Sequence, residues 1–329
     1  MIQIRREITL SRTRIGTAPM WPPKVDRVRM LDRVSEKTIE KGNDRLRAFA
    51  PIVLNKKNSE GIIRQVRDAG EEEGVSRIAM RALVRAEDAQ RVAATAAFAG
   101  LPREGQIPVN GRLLMYFGYN LDGRRVTNEA RRGQQIAASQ IGSRRARTKD
   151  ELLAIIRSRG YQFDDVISRR EFPRLVELYR TCLPRYCVNL NSDKLTELFR
   201  NPANAFAVIR GRGRIIAAAV AEQTLIELPG ASLHDVEISE CVTDPEHRRR
   251  GLMSAIIYRL ISNIQIGNDT VIYSESRAGV PSINCAMRNN GMVHSGWLEK
   301  AVVIGDNGPV EGPGAFEHME SLNVWSLPG

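Results

Sequence analysis

Cysteine and histidine are scarce, four of each in 329 residues. The cysteines, Cys182, Cys187, Cys241 and Cys285, match no zinc-site spacing, and so few imidazoles leave little else to hold a metal. No metal centre is therefore expected. A chain of this length buries a core without disulfide or metal staples, and free thiols fit a reducing cytoplasm. Aromatic residues make up only 5%, which weakens base-stacking recognition of nucleic acid. Long apolar runs are missing: none approaches the ~20 residues that span a bilayer. Residues 1–25 lack the contiguous apolar segment of a secretory signal.

What remains is the composition of an ordinary globular protein, 42% hydrophobic and 26% charged, with an excess of base that gives a net charge of +11. That charge attracts a nucleic acid or a small polyanion, or simply solvates the surface. The length indicates two domains or one large one.

Four regions follow from the patterning. Residues 1–30 are a basic N-terminal arm, and 31–125 an N-terminal αβ lobe. Residues 126–160 are an Arg-rich helical connector, and 161–329 the larger domain. In the N-terminal lobe Leu46–Leu54 reads as a strand, Ser59–Glu73 as a helix capped near its Ser, Val75–Val84 as a strand and Ala86–Gly100 as a helix. A hairpin follows, Gln106–Val109 and Arg112–Tyr119 around Asn110-Gly111. The larger domain repeats this order: strand Leu233–Val242, helix Gly251–Ile264, strand Thr270–Ser274, helix Pro281–Asn289, strands Val293–Ile304 and Met319–Trp325. Both halves predict an α/β fold of the α+β type, a mixed sheet flanked by helices.

The stretch Ile238–Ser254 (ISECVTDPEHRRRGLMS) concentrates the chemistry. A strand ends near Val242, a turn runs through Asp244-Pro245, and Arg248, Arg249 and Arg250 lead into Gly251 and an apolar helix. A helix start presents unpaired N–H groups and partial positive charge, and Gly251 without a Cβ permits close approach. Together these suit a diphosphate.

Arg248 and Gly251 fill the first two fixed places of the Gln/Arg-x-x-Gly-x-Gly/Ala signature, and in these residues the chain resembles the GNAT superfamily of N-acetyltransferases. Met253 departs at the last place. Within the superfamily Arg248–Met253 looks like a variant of the β-lysine N6-acetyltransferase motif Arg-Gly-Lys-Gly-Leu-Met. Ser274–Ala278, Pro281–Asn284 and Glu320–Trp325 resemble further segments of that family. The resemblance implies an enzyme, a GNAT-like C-terminal domain preceded by a degenerate GNAT-like lobe, with acetyl-CoA as cofactor. Val242, Thr243, Arg248, Arg249, Arg250, Gly251, Leu252, Met253, Ser254 and Asn284 would hold acetyl-CoA, and a backbone N–H near Val242 would face the thioester oxygen. Many relatives carry a Tyr proton donor where this chain has Met287.

An amine acceptor must lose a proton to attack. On a flat strand Asp235, Glu237, Ser239 and Cys241 share one face, and Val236, Ile238, Glu240 and Val242 the other. The resemblance implies a bulge here that re-aims Glu240 into a cleft. Glu240 is accordingly expected as base, with Glu237 binding a cationic substrate, the two roles being exchangeable. Glu222, Glu237 and Glu275 form the expected acidic acceptor site. Arg277 is read either as a clamp for an acceptor carboxylate or as half of a structural ion pair, and Cys241 as a buried thiol. The expected partner is a small-molecule amine, β-lysine-like, with no membrane; the chain is compatible with a homodimer. Two other readings remain open: an acetyltransferase acting on RNA or protein, with nucleic acid docked on the arm and connector, and a non-catalytic GNAT-fold component of an assembly. One acetyl-CoA site per chain is expected, because Val53–Gly61 contains no Arg-x-x-Gly turn.

Overall fold

The structure, a computed structural model, describes residues 28–29, 38–40, 45–121, 148–183, 191–303 and 319–328. The basic arm before Val28, most of the connector and Cys187 lie outside them. The described residues form thirteen strands in one mixed sheet and seven α-helices. Among them, no helix is long and apolar enough to cross a membrane, and no cluster of His, Cys, Asp and Glu is placed to hold a metal. Cys182, Cys241 and Cys285 are free thiols.

The strands are β1 Val28–Arg29, β2 Thr38–Glu40, β3 Arg45–Phe49, β4 Arg77–Arg85, β5 Arg103–Val109, β6 Arg112–Asn120, β7 Gln162–Asp164, β8 Ala205–Gly211, β9 Arg214–Leu228, β10 Ala231–Thr243, β11 Thr270–Arg277, β12 Val293–Val303 and β13 Met319–Ser326. The helices are α1 Ser59–Glu72, α2 Ala89–Phe98, α3 Lys149–Ser158, α4 Phe172–Cys182, α5 Ser192–Arg200, α6 Leu252–Asn263 and α7 Pro281–Asn289. Most boundaries fall within a few residues of the pattern-based reading. The exceptions have local causes. The first strand stops at Phe49, four residues after it begins, and the chain rejoins the sheet only through the Leu54–Val84 bridge. Helix α1 is preceded by Asn58, not capped by Ser59: Asn58 exchanges hydrogen bonds with Asn55, and Ser59 is buried. The short edge strand β7 has too little alternation to be seen in sequence.

The sheet runs β2-β3-β4-β6-β5-β12-β13-β11-β10-β9-β8-β7, with β1 beside β9. The expected repeat is visible in this order. In residues 45–120, β3 and β4 are parallel, and β6 inserts between β4 and β5; in residues 231–326, β10 and β11 are parallel, and β13 inserts between β11 and β12. A parallel pair needs a crossover, and α1 and α6 provide it. The Asn110-Gly111 turn has positive φ at both residues, 43° and 69°, as a two-residue hairpin requires.

The two repeats meet edge to edge where Gly105 of β5 pairs with Gly296 of β12. A Cβ on Gly105 would lie 2.8 Å from the Gly296 Cα, so only glycine fits this crossing. In each repeat the register slips just before this glycine, between Arg103 and Gly105 and between His294 and Gly296. The shared slip fixes the equivalence of the two halves. Gly105 pairs with Tyr116 and Tyr116 with Arg81; Gly296 pairs with Val324 and Val324 with Glu275. Arg81 therefore stands where the second repeat has Glu275. By the same count Arg47 matches Glu237, and Arg45 matches Asp235.

Each repeat packs one sheet face on its own helices. In the second, Ala217, Ala219 and Ala221 of β9 with Val236 and Ile238 of β10 receive Ala255, Ile256, Ile257 and Leu260 of α6. The alternating alanines of β9 leave room for the helix, and each buried Ile or Leu contributes ~1.5–3 kcal/mol. The opposite faces of the two repeats pack on each other through Phe49, Leu83 and Tyr116 on one side and Leu233, Val271 and Tyr273 on the other.

Candidate active site

Strand β10 carries the site because it is paired unevenly. Against β9 it runs from Ala231 to Thr243, but its parallel pairing with β11 spans only His234 to Glu237. Beyond Glu237 the two parallel strands part, and a gap opens along the edge of β10. In that stretch the register with β9 slips between Ser239 and Val242, and Glu240 adopts φ +52°, in the left-handed region. This is the expected bulge.

The bulge changes the face assignment of a flat strand. Cys241 packs with Val236 and Ile238 toward α6, whereas Val242 packs on the opposite face with Tyr179 of α4. Glu240, the extra residue, is buried and close enough to Tyr179 to help raise the pKa of its phenol, an effect that burial dominates. The Cys241 thiol is pushed far up by burial, then by Glu240 and Glu237, and stays protonated. By solvent exposure it is half-buried, where a buried thiol was expected, and as a protonated thiol it is no nucleophile.

The turn between β10 and α6 is pinned from several sides. The Asp244 carboxylate accepts from Arg174 at 2.7 Å and from the Glu246 N–H at 3.1 Å. The Thr243 carbonyl accepts from Arg248 Nε at 3.1 Å and from the Cys182 thiol. Arg250 donates to the Tyr161 hydroxyl and, at 2.8 Å, to the Glu246 carbonyl. Its guanidinium is thus built into the turn, a correction to its expected place among cofactor contacts. Ser254 is likewise committed: it is buried, and its hydroxyl accepts from Asn289 at 3.2 Å, so only its amide faces the helix entrance. Arg249 is exposed with φ +63°, and Gly251, the residue preceding α6, has φ +79° and no side-chain cap. Two left-handed residues, Arg249 and Gly251, flank Arg250 at the helix entrance, and the first turn of α6 leaves the amides of Leu252, Met253 and Ser254 without intrahelical partners. Leu252 points its side chain into the core, and Met253 lies at the core margin. An uncapped, left-handed helix entrance with basic side chains around it fits a diphosphate.

Two further residues named in sequence are committed to the protein itself. Asn284 was expected to bond a cofactor arm, yet it is fully buried and saturated. Its amide donates to the carbonyls of Arg277 and Val280, both at 2.8 Å, and its oxygen accepts from Asn323 at 2.9 Å and the Trp325 indole at 2.8 Å. Arg277 binds Glu320 through two nitrogens, Nε at 2.8 Å. Of its two open readings, the structural ion pair is the one present.

On the sheet face away from α6, three carboxylates converge. Glu222 of β9 is the register partner of Glu237 of β10, which pairs with Tyr273 of β11, and Glu275 follows two residues on. Ser239 donates to Glu222 at 2.5 Å. Burial, then the neighbouring Glu275 and Glu222, raise the pKa of Glu237 to about 8 against the opposing pull of Arg47 and Arg81. Glu237 therefore exchanges its proton near neutrality.

Facing this acidic row is a basic one from the first repeat. Arg45, Arg47 and Arg81 line a cavity between the repeats together with Phe49, Tyr116 and Glu275. Arg81 donates to both oxygens of Asp235, at 3.1 and 3.0 Å, and to the Tyr273 hydroxyl at 2.6 Å. Sequence reasoning missed Arg45, Arg47, Arg81 and Tyr273. The signal was there in part: RLRAF places arginines on alternate positions and RIAMR places them four apart, in each case on one face of a strand whose other face is apolar.

No family model matches the chain, and no curated protein matches it. Several solved N-acetyltransferase structures resemble part of it. Arabidopsis thaliana NAA60 in complex with a bisubstrate analogue is 14% identical, covers 50% of this chain and 96% of its own, and gives a TM-score of 0.40. The ribosomal-protein-alanine N-acetyltransferase of Brucella melitensis is 16% identical over 51% of this chain and 99% of its own, with a TM-score of 0.40. A mutant of the Vibrio cholerae spermidine N-acetyltransferase SpeG is 17% identical over 52% and 94%, with a TM-score of 0.37. Folds of this kind host many activities, so function is read from the site itself.

Proposed function

We propose that the chain is an acetyl-CoA-dependent N-acetyltransferase whose acceptor is a small cationic amine of the β-lysine type. The observation that supports this best is one of placement. Strands β10 and β11 part beside an uncapped, left-handed entrance to α6, and the far side of the same strands carries Glu237, a carboxylate that titrates near neutrality.

The amides of Gly251, Leu252, Met253 and Ser254, with Arg248 and Arg249 at the rim, would hold the diphosphate of acetyl-CoA, which supplies an activated acetyl thioester. The gap-facing backbone of β10 near Val242 offers an N–H to the carbonyl oxygen as it gains charge. Glu222 and Glu275 draw an ammonium group to the face. Glu237 accepts its proton, leaving a neutral amine able to attack; the acetyl group passes directly from sulfur to nitrogen in a ternary complex, and the thiolate leaves. The base role thus moves from Glu240 to Glu237. Glu240 shapes the strand through its left-handed backbone, and Glu237 has both the acidic neighbours and the titration range.

The test is thiol release from acetyl-CoA in the presence of lysine, β-lysine, polyamines and RNA in turn. Release with the diamino compounds is expected, with a rate that climbs as pH passes through 8, and Glu237→Gln lowers kcat by roughly 10²–10⁴-fold while acetyl-CoA binding persists. Release driven by RNA alone, or full turnover in Glu237→Gln, contradicts the reading.

A further inference from the structure

The polar cluster at the acceptor face of the second repeat is centred on a residue of the first. Arg81 of β4 is mostly buried, stacks against the rings of Phe49 and Tyr273 at 5.4 and 5.3 Å, and makes three hydrogen bonds to the other repeat. Its guanidinium occupies both oxygens of Asp235 and also donates to the Tyr273 oxygen.

That arrangement decides where one proton goes. The Tyr273 hydroxyl has a single hydrogen and two carboxylates in range, Glu237 at 3.2 Å and Asp235 at 3.4 Å. Asp235 already accepts two charge-assisted bonds, which are stronger than a neutral hydroxyl bond. The hydroxyl is thereby left for Glu237, the nearer acceptor. Arg81 also polarises that hydroxyl by donating to its oxygen, so the outgoing bond is strengthened.

We propose that Arg81 is a positioning residue for the acyl-transfer site: by holding Asp235 and Tyr273 it directs the Tyr273 hydroxyl to Glu237, so that the first repeat sets when the base of the second is free. The proposal rests on Glu237 being that base. It also accounts for the inverted charge between the repeats, since Arg81 occupies the place equivalent to Glu275 and Arg47 that equivalent to Glu237. The first repeat presents cations at the strand positions where its counterpart presents the acidic face.

The charged and titratable groups around Glu237 among the described residues are Glu222 from β9, Asp235 and Cys241 from β10, Tyr273 and Glu275 from β11, Arg47 from β3, Arg81 from β4 and Tyr116 from β6. Among these described residues Tyr273 is the one that hydrogen-bonds it, which is what lets the experiment separate a bond from a distant charge.

The experiment is a carboxyl-carbon NMR titration of full-length protein labelled at Glu, with the Glu237 signal assigned by its loss in Glu237→Gln. Arg81→Met is expected to move the Glu237 midpoint up by about one pH unit, and Tyr273→Phe to move it up as well. In the Tyr273→Phe background Arg81→Met adds a smaller shift than it makes alone. An equal shift in both backgrounds overturns the proposal, because Arg81 would then act only as a remote charge; an unmoved midpoint in Tyr273→Phe overturns it too, and that variant deletes one buried oxygen and serves where Arg81→Met does not fold. The readout needs no turnover. If the midpoints move as expected while no amine releases thiol from acetyl-CoA, the enzymatic reading fails and the positioning role stands; if turnover is present and the midpoints do not move, the reverse holds.

Discussion

The two repeats have the same strand order, the same glycine crossing and the same register slip, yet they differ in every feature that bears on chemistry. In the second, α6 opens on Gly251 with φ +79° and no side-chain cap; in the first, the equivalent crossover helix α1 opens on Asn58 with φ −110°, beside an Asn55–Asn58 turn that uses local donors on side-chain oxygens. The second parts its parallel strands after four residue pairs, whereas β3 keeps its register with β4 through all five of its residues. The second places acids on the shared face and the first places arginines. One repeat carries the candidate site and the other the arginines that face it.

If that division holds, cutting the link between the repeats is the costliest change. Asp235→Ala leaves the mostly buried Arg81 without its bidentate partner, and removing one member of such a pair costs about 3–5 kcal/mol. Urea unfolding should show a loss in that range; a variant as stable as the wild type would mean that the repeats do not depend on this contact.

A smaller effect is expected at the edge-to-edge joint. Gly105→Ala pushes a Cβ to within 2.8 Å of the Gly296 Cα and within 2.9 Å of the Ser295 carbonyl, backbone atoms that cannot step aside. Overpacking of this kind costs about 1–3 kcal/mol, and thermal unfolding measures it. Gly61→Ala, inside α1 with open space around it, is the control and should not lower Tm.

A third effect depends on pH. The folded-state pKa of Glu237 is raised, so the native protein holds this proton where the unfolded chain has released it. The stability it contributes is complete below the ordinary glutamate range and is lost as pH rises toward and through about 8. Glu237→Gln has no such loss. Its Tm should exceed that of the wild type at pH 9, and the gap should close as pH falls to 4. A gap that widens on acidification would contradict the burial of this carboxylate.

Much of the frame was legible in the sequence because it is written locally. Asn110-Gly111 can only be a tight hairpin, Pro281 fixes the first position of α7, and the repeated strand-helix order follows from periodicity. The turn between β10 and α6 was legible for the same reason: strand, basic turn, glycine and helix are contiguous. What failed depends on distance along the chain. Arg81 meets Asp235 across 154 positions and Tyr273 across 192, and no pattern within β4 names those partners. Asn284 reads as a ligand contact until Asn323 and Trp325, 39 and 41 residues on, are seen to fill its oxygen. The faces of β10 were misassigned because alternation assumes two residues per repeat, and one left-handed residue, Glu240, shifts everything after it.

The measurement that goes most directly to the centre is a calorimetric titration of the full chain with coenzyme A, beside the same titration of Gly251→Val. The division of labour between the repeats predicts one molecule bound per chain, and binding at least tenfold weaker in the variant, since a β-branched residue at φ +79° is strained and its side chain obstructs the helix entrance. Two equivalent sites, or uptake that Gly251→Val leaves untouched, would contradict it.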